Sequence, residues 1–276
     1  MYKIDSHHHF WIYDPVEYEW ITDDKAAIRR DFGPTDLQAE TAEAGISAVV
    51  SVQARQSLDE TRALLQHASQ YEFIRGVVGW VPLIDANVPD TLAEFSTCEK
   101  LVAVRHVLQD EPDENYMLRE DFNRGIATLR HLGLVYDILV FERHLPQTIQ
   151  FVDRHPNQIF VLDHLAKPRV KTREISPWAE RIRELAKRPN VYCKISGLAT
   201  EGDYQSWTEE QLQPYLDVVL DAFGPKRLMF GSDWPVCLLA VRYPDWVAIV
   251  DRFCSKLSAS EQERIWSGTA KEAYRL

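Results

Sequence analysis

Eight short runs of apolar, β-branched residues recur along the chain, and they limit its fold more than any other feature. They span Lys3–Asp5, Ile46–Gln53, Ile74–Val81, Leu101–Val107, Leu134–Val140, Ile159–His164, Val191–Ser196 and Arg227–Ser232. Their near-continuous apolar character suits strands covered on both faces, as in a parallel sheet. Longer amphipathic stretches separate them and predict helices over Asp36–Ala44, Leu58–Tyr71, Met117–Leu132, Leu145–His155, Trp178–Lys187 and Thr208–Phe223. A weaker helix is expected at Asn87–Glu94, and two more between Asp245 and Tyr274. Gly45, Gly133 and Gly224 stand where helices should stop and strands begin. Strands alternating with helices imply right-handed βαβ units, and eight repeats favour a closed (β/α)8 barrel over an open sheet. The 276 residues match the roughly 250 typical of one such barrel, so a single domain over 1–276 is expected. Trp11–Arg30 is a long segment before the first helix and reads as a cover over one barrel mouth.

Composition removes several functions. A formal net charge of −11 provides no basic face for a phosphate backbone, so nucleic acid is not an expected partner. No apolar run approaches the length of a membrane span, and the Met1–His7 stretch does not resemble a secretory leader. Cys98, Cys193, Cys237 and Cys254 form no CxxC pair. They read as reduced, mostly buried thiols of a cytoplasmic protein.

In a parallel barrel, functional side chains cluster at the C-terminal strand ends. The first run leads into Asp5-Ser6-His7-His8-His9, where alternation puts His7 and His9 on one side and His8 on the other. Two same-facing imidazoles suit a metal ion or a polar substrate group, although ordinary hydrogen bonding would also explain them. The sixth run ends in Asp163-His164, with Asp163 open to a salt-bridge role. The eighth ends in Gly231-Ser232-Asp233-Trp234-Pro235. Asp233 there suits a general base or a metal ligand, and a helix cap is the alternative. Arg105 is a candidate anchor for a carbonyl or hydroxyl, because a guanidinium presents several fixed donors. Candidate substrate contacts are Gln53, Arg55, His106 and Glu142. Trp80 and Trp234 could offer a face to a sugar ring, with packing the more ordinary role. Asp137, Arg143, Lys194 and Ser196 are further polar groups near strand ends.

These residues, together with the stretches Ile4–Trp11, Val104–Glu111, Tyr136–Arg143, Val161–Pro168, Cys193–Gly197 and Arg227–Val236, resemble the amidohydrolase superfamily. The resemblance is to its sugar-lactonase branch and runs over essentially the whole chain. It implies hydrolysis of a lactone ring ester, with L-fucono-, L-galactono-, D-arabinono- or L-rhamnono-lactone as the substrate class. On that resemblance Asp233 activates the attacking water and then protonates the leaving alkoxide. His7, His9 and His164 hold one divalent ion such as zinc, with Asp233, or polarise the carbonyl directly, since the branch contains both metal-bound and metal-independent lactonases. Arg105 stabilises the developing oxyanion. One departure is plain: binuclear members carry a bridging lysine or acidic residue after strand 4 and a histidine after strand 5, where this chain has Arg105 and Asp137. A two-metal site is therefore not expected. A hydrolase of an aromatic-derived lactone, or a metal-dependent decarboxylase, is the alternative on the same barrel and would favour several arginines facing the pocket.

Overall fold

The computed structural model describes residues 1–95 and 97–276. Eight strands form one parallel sheet in sequential order: β1 Ile4–His8, β2 Ala48–Val52, β3 Ile74–Gly79, β4 Leu101–His106, β5 Val135–Ile138, β6 Phe160–Leu162, β7 Val191–Ile195 and β8 Leu228–Phe230. Each strand pairs with the next in parallel register. The barrel closes between its first and last strands: the Asp233 N–H donates to the His7 carbonyl (2.7 Å) and the His9 N–H to the Trp234 carbonyl (2.7 Å). Asp5 reinforces the seam by accepting the Ser232 N–H (2.8 Å) and the Tyr243 hydroxyl (3.1 Å).

All eight predicted strands are present. Most are trimmed by a residue or more at their ends, and β1 runs three residues beyond Asp5. His7 and His8 therefore belong to the strand, with a bulge between Asp5 and His8 that re-aims the side chains. The predicted helices appear at Pro34–Ala44, Leu58–Gln70, Val88–Ala93, Glu120–His131, Leu145–Arg154, Trp178–Leu185 and Glu209–Phe223. Their starts are locally encoded: Pro34 opens the first, and Ser57 caps the second by accepting the Asp59 N–H (3.2 Å). The tail forms a helix at Tyr243–Cys254 and a continuous helical run from Ala259 to Tyr274. No helix among the described residues is long and apolar enough to cross a membrane.

Two apolar layers hold the barrel. Outward-facing strand residues such as Val49, Val104, Leu162 and Phe230 pack against the surrounding helices. Inward-facing Ile4, Ala48, Val50, Val78, Ala103, Val135, Val161 and Met229 fill the lower lumen. Ala270, Ala273 and Tyr274 of the last helix pack against them and plug the N-terminal mouth. Two residues further on, at Arg105, Asp137, Asp163 and Lys194, the lumen turns polar, which is where the candidate site begins.

Candidate active site

Above the apolar plug lies a fully buried ionic layer. Lys194 sits 2.6 Å from Asp137 and 3.0 Å from Asp163, and Arg105 sits 3.0 Å from the other Asp163 oxygen. The Tyr274 hydroxyl donates up from the C-terminal helix to Asp137 (2.8 Å). Two carboxylates thus face two cations. Burial raises the Asp163 carboxyl, but Lys194, His7 and Arg105 outweigh it and hold it well below the usual range. Asp137, with less compensation, is pushed up to about 6 by burial.

His7 stands on this layer. Its Nδ1 lies 3.3 Å from Asp163, and its Nε2 lies 3.3 Å from an Arg105 nitrogen, which can only donate. The Lys194 ammonium also lies 3.2 Å from Nδ1, so donor-only groups face both ring nitrogens; with the proton on Nδ1 toward Asp163, Nε2 presents a lone pair to the cavity. Burial depresses its basicity well below the ordinary histidine value, so the ring is neutral. His9 is fixed in the same tautomer, because its Nδ1 donates to the Val52 carbonyl (2.8 Å). His164 meets the Ser196 hydroxyl through Nδ1 (2.8 Å), and burial lowers it to about 4.

The three Nε2 atoms converge on one oxygen of Asp233, at 3.7 Å from His7, 3.3 Å from His9 and 3.8 Å from His164. The two Nε2 atoms of His7 and His9 are 3.2 Å apart. Lone pairs and a carboxylate this close call for positive charge between them. Ligands about one zinc ion stand roughly 3.3 Å apart when each bond is about 2.0–2.1 Å, and these spacings fit. Among the described residues, His7, His164 and Asp233 form a cluster able to hold a metal ion, their donor atoms lying within 4.8 Å of one another. Burial works against ionisation of Asp233, but His164, His9 and Lys167 outweigh it and keep the carboxyl below its usual range.

Backbone geometry holds these groups in place. His164, Leu165, Ala166 and Lys167 all have positive φ, between 49° and 59°, and so does Asp233 at 59°. Non-glycine residues rarely sit there, at a cost of roughly 1–2 kcal/mol each. The turn is locked by burial of Leu165 and Ala166 and by the Trp178 indole N–H donating to the Leu165 carbonyl (2.8 Å). Gly197 allows the close approach of His164: a Cβ there would lie 2.6 Å from the His164 Nδ1. Gly231 does the same for His7, where a Cβ would lie 2.8 Å from the His7 Cβ.

A cavity of about 390 Å³ opens above Asp233 and is lined by His9, Arg105, His164 and Asp233 at its base. Its walls come from loops: Trp20 and Lys25 from the segment before the first helix, Gln109 and Asp110 after β4, Phe141 after β5, Lys167 after β6, and Thr200, Glu201 and Tyr204 after β7. The segment expected to cover one mouth thus supplies part of the wall. His8 points away, as alternation requires, to the Ser51 hydroxyl (2.9 Å). Neither Asp233 nor Ser232 caps a helix: the short helix that follows, Val236–Leu239, starts at Pro235 without a side-chain cap, and the Ser232 hydroxyl accepts the Trp234 N–H (3.0 Å).

Five expected substrate contacts lie off the cavity wall, each engaged elsewhere. Gln53 is buried beneath Arg105, its side-chain amide N–H donating to the Arg105 backbone carbonyl (3.3 Å) while its backbone carbonyl accepts from the guanidinium. Arg55 pairs with Glu17 and with Glu60 and so anchors the covering segment. The Trp80 indole donates to His106 (3.3 Å), and His106 is clamped by Glu111 (2.6 Å) and stacked on Tyr116. Glu142 belongs to a separate cluster with Arg169 (2.8 Å). Trp234 is packed between Phe10 and Phe32. Of Arg55, Arg105 and Arg143, the arginines near strand ends that could meet a carboxylated substrate, Arg105 alone lines the cavity; Arg143 pairs with Glu114 (3.3 Å). The sequence reading missed Trp20, Lys25, Lys167, Glu201 and Tyr204, which sit on loops where no periodicity marks a direction. Lys167 did fall inside the Val161–Pro168 stretch that carried the resemblance.

Residues 4–276 match the amidohydrolase family model. The chain is 42% identical to a Burkholderia multivorans protein named L-fucono-1,5-lactonase, covering 99% of this chain and 96% of that protein. It is 36% identical to a Burkholderia ambifaria protein of the same name, covering 100% and 96%. A crystal structure of a B. multivorans amidohydrolase with bound zinc superposes with a TM-score of 0.96 at 42% identity, over 100% of both chains.

Proposed function

This chain belongs to the amidohydrolase family, and from that premise we propose that it hydrolyses a sugar lactone, L-fucono-1,5-lactone or a close stereochemical relative, to the aldonic acid. The observation that carries the reading is an ionised, buried Asp233 at the base of the cavity, ringed by three imidazoles and faced by Arg105. The names and full-length similarity of the Burkholderia relatives support the choice of lactone.

The lactone carbonyl seats against Arg105, whose fixed donors stabilise the oxyanion that forms there. Asp233 accepts a proton from water as the water oxygen bonds to the carbonyl carbon. The ring C–O bond then breaks, and Asp233 returns that proton to the departing ring oxygen. The product acid ionises, so one proton reaches solution per turnover. A divalent ion, zinc in keeping with the B. multivorans structure, would be held by His7, His164 and Asp233 with His9 beside them, and would supply positive charge that polarises a carbonyl and acidifies water. The ionic layer beneath orients His7 and Arg105 whether or not an ion is bound. The four cysteines are free, three of them buried, which supports a reducing cytoplasmic setting.

Proton release by the purified protein tests this. Assayed on L-fucono-, L-galactono-, D-arabinono- and L-rhamnono-lactones, with and without a chelator, it should turn over at least one above the spontaneous rate. No turnover of any of the four would contradict the sugar-lactonase reading.

A further inference from the structure

Proton transfer engages the base of the cavity and leaves the charged groups on its wall unused, Glu201 and Lys167 among them. Glu201 ends a short turn at Ala199–Glu201, its backbone held by Leu198 and Lys171. Its carboxylate faces the cavity and makes no hydrogen bond or ion pair among the described residues. Lys167, on the left-handed turn below His164, also makes neither; the Phe141 ring, 5.5 Å away, is its contact. The two side chains sense one another electrostatically without pairing. Among nearby carboxylates, Glu60 accepts the Ala54 and Arg55 N–H groups (2.6 and 2.8 Å) and Glu142 accepts from Arg169 (2.8 Å), while Asp110, on the same wall, takes one long contact from the Gln109 amide (3.5 Å).

A carboxylate only accepts hydrogen bonds, an ammonium only donates, and a hydroxyl does both at once. Burial already disfavours the charged form of Glu201, and a ligand that displaced water without replacing its hydrogen bonds would leave that carboxylate unsatisfied. We infer that Glu201 and Lys167 form a hydroxyl-reading pair, in which one ring hydroxyl of the lactone donates to Glu201 and accepts from Lys167. The pair selects neutral polyhydroxylated lactones over unsubstituted ones, and Glu201 repels ring carboxylates. Lys167 is fixed to His164 through one rigid turn, so the hydroxyl it reads has a set position relative to Asp233. This inference rests on the lactonase reading.

The test is the ratio of kcat/KM for L-fucono-1,5-lactone to that for δ-valerolactone, a ring without hydroxyls. In Glu201→Gln, which keeps an acceptor but removes the charge, the ratio should fall about five- to tenfold, the difference between a charged and a neutral hydrogen bond. The fall should come mainly through KM for the sugar lactone, and Lys167→Met should show the same direction. Glu201→Asp, which keeps the charge, should recover part of the ratio. A ratio unchanged in both Glu201→Gln and Lys167→Met, or equal losses on the two lactones, overturns the pair while leaving the lactonase reading standing. Native protein that hydrolyses neither lactone overturns both, and shows it before any variant is made.

Discussion

Asp233 can act as a base at neutral pH because its surroundings favour the charged form in spite of burial. His164, brought down to about 4 by burial, is neutral over the same range. Both groups are in the required form above their folded-state values and lose it below them. Activity should therefore hold a plateau from about pH 5 through neutral and fall only as pH drops through about 4. A pH profile of kcat/KM, corrected for spontaneous ring opening, checks this; an acid limb centred near 6–7 would implicate another group. At this scale the sequence was legible where an apolar strand delivers a polar residue, as at His7, His9, His164 and Asp233. It was illegible one or two residues further on. Gln53, Arg55, Trp80, His106 and Glu142 also lie near strand ends, but a side chain there can turn to the cavity or to a neighbouring loop. Packing against Arg105, Glu17, Tyr116 and Arg169 decides that, and those partners are distant in sequence.

The element that most shapes the site is the turn His164–Lys167, four left-handed residues wedged under Gly197. Gly197→Ala should strain a φ of +64° and push its new methyl into the His164 ring. The expected result is a loss of roughly 1–2 kcal/mol in stability and about a hundredfold in kcat, the scale of an ångström's misplacement. Gly45→Ala is the control: its φ is +70° and its ψ 28°, a left-handed residue with open space around the position. It should lose similar stability in thermal unfolding and keep its turnover; an equal loss of activity in both would mean that strain alone is responsible. Strand and helix placement was largely readable from apolar periodicity and from Pro34, Gly45 and Gly224. The extension of β1 through His8 was not, because a polar histidine run carries no strand signature until the seam with β8 supplies its partners. The left-handed turn was likewise hidden, since none of its four residues is glycine.

Across the whole molecule, the barrel lumen changes from an apolar plug to a balanced ionic layer and then to an open cavity. Lys194 is central to that layer, compensating both Asp137 and Asp163. Lys194→Met would leave buried negative charge unmatched, a cost of about 3–5 kcal/mol at neutral pH. The loss should shrink as pH falls, because protonation of Asp137, already pushed up to about 6, removes the uncompensated charge; chemical denaturation at two pH values measures it. A loss that did not depend on pH would point to packing instead. Eight repeats made the barrel itself legible, and Asp137 and Lys194 stood out as strand-end groups. Tyr274 did not, because nothing in the tail shows that its hydroxyl enters the lumen from below.

Replacing Asp233 by Asn most directly tests the central claim, since it removes the base while keeping the shape of the side chain. Measured by proton release on the best lactone of the panel, with binding of that lactone followed separately, Asp233→Asn should lose at least about a thousandfold in kcat and still bind. Turnover that survives the substitution would contradict the assignment of Asp233 and, with it, the mechanism built around the three imidazoles.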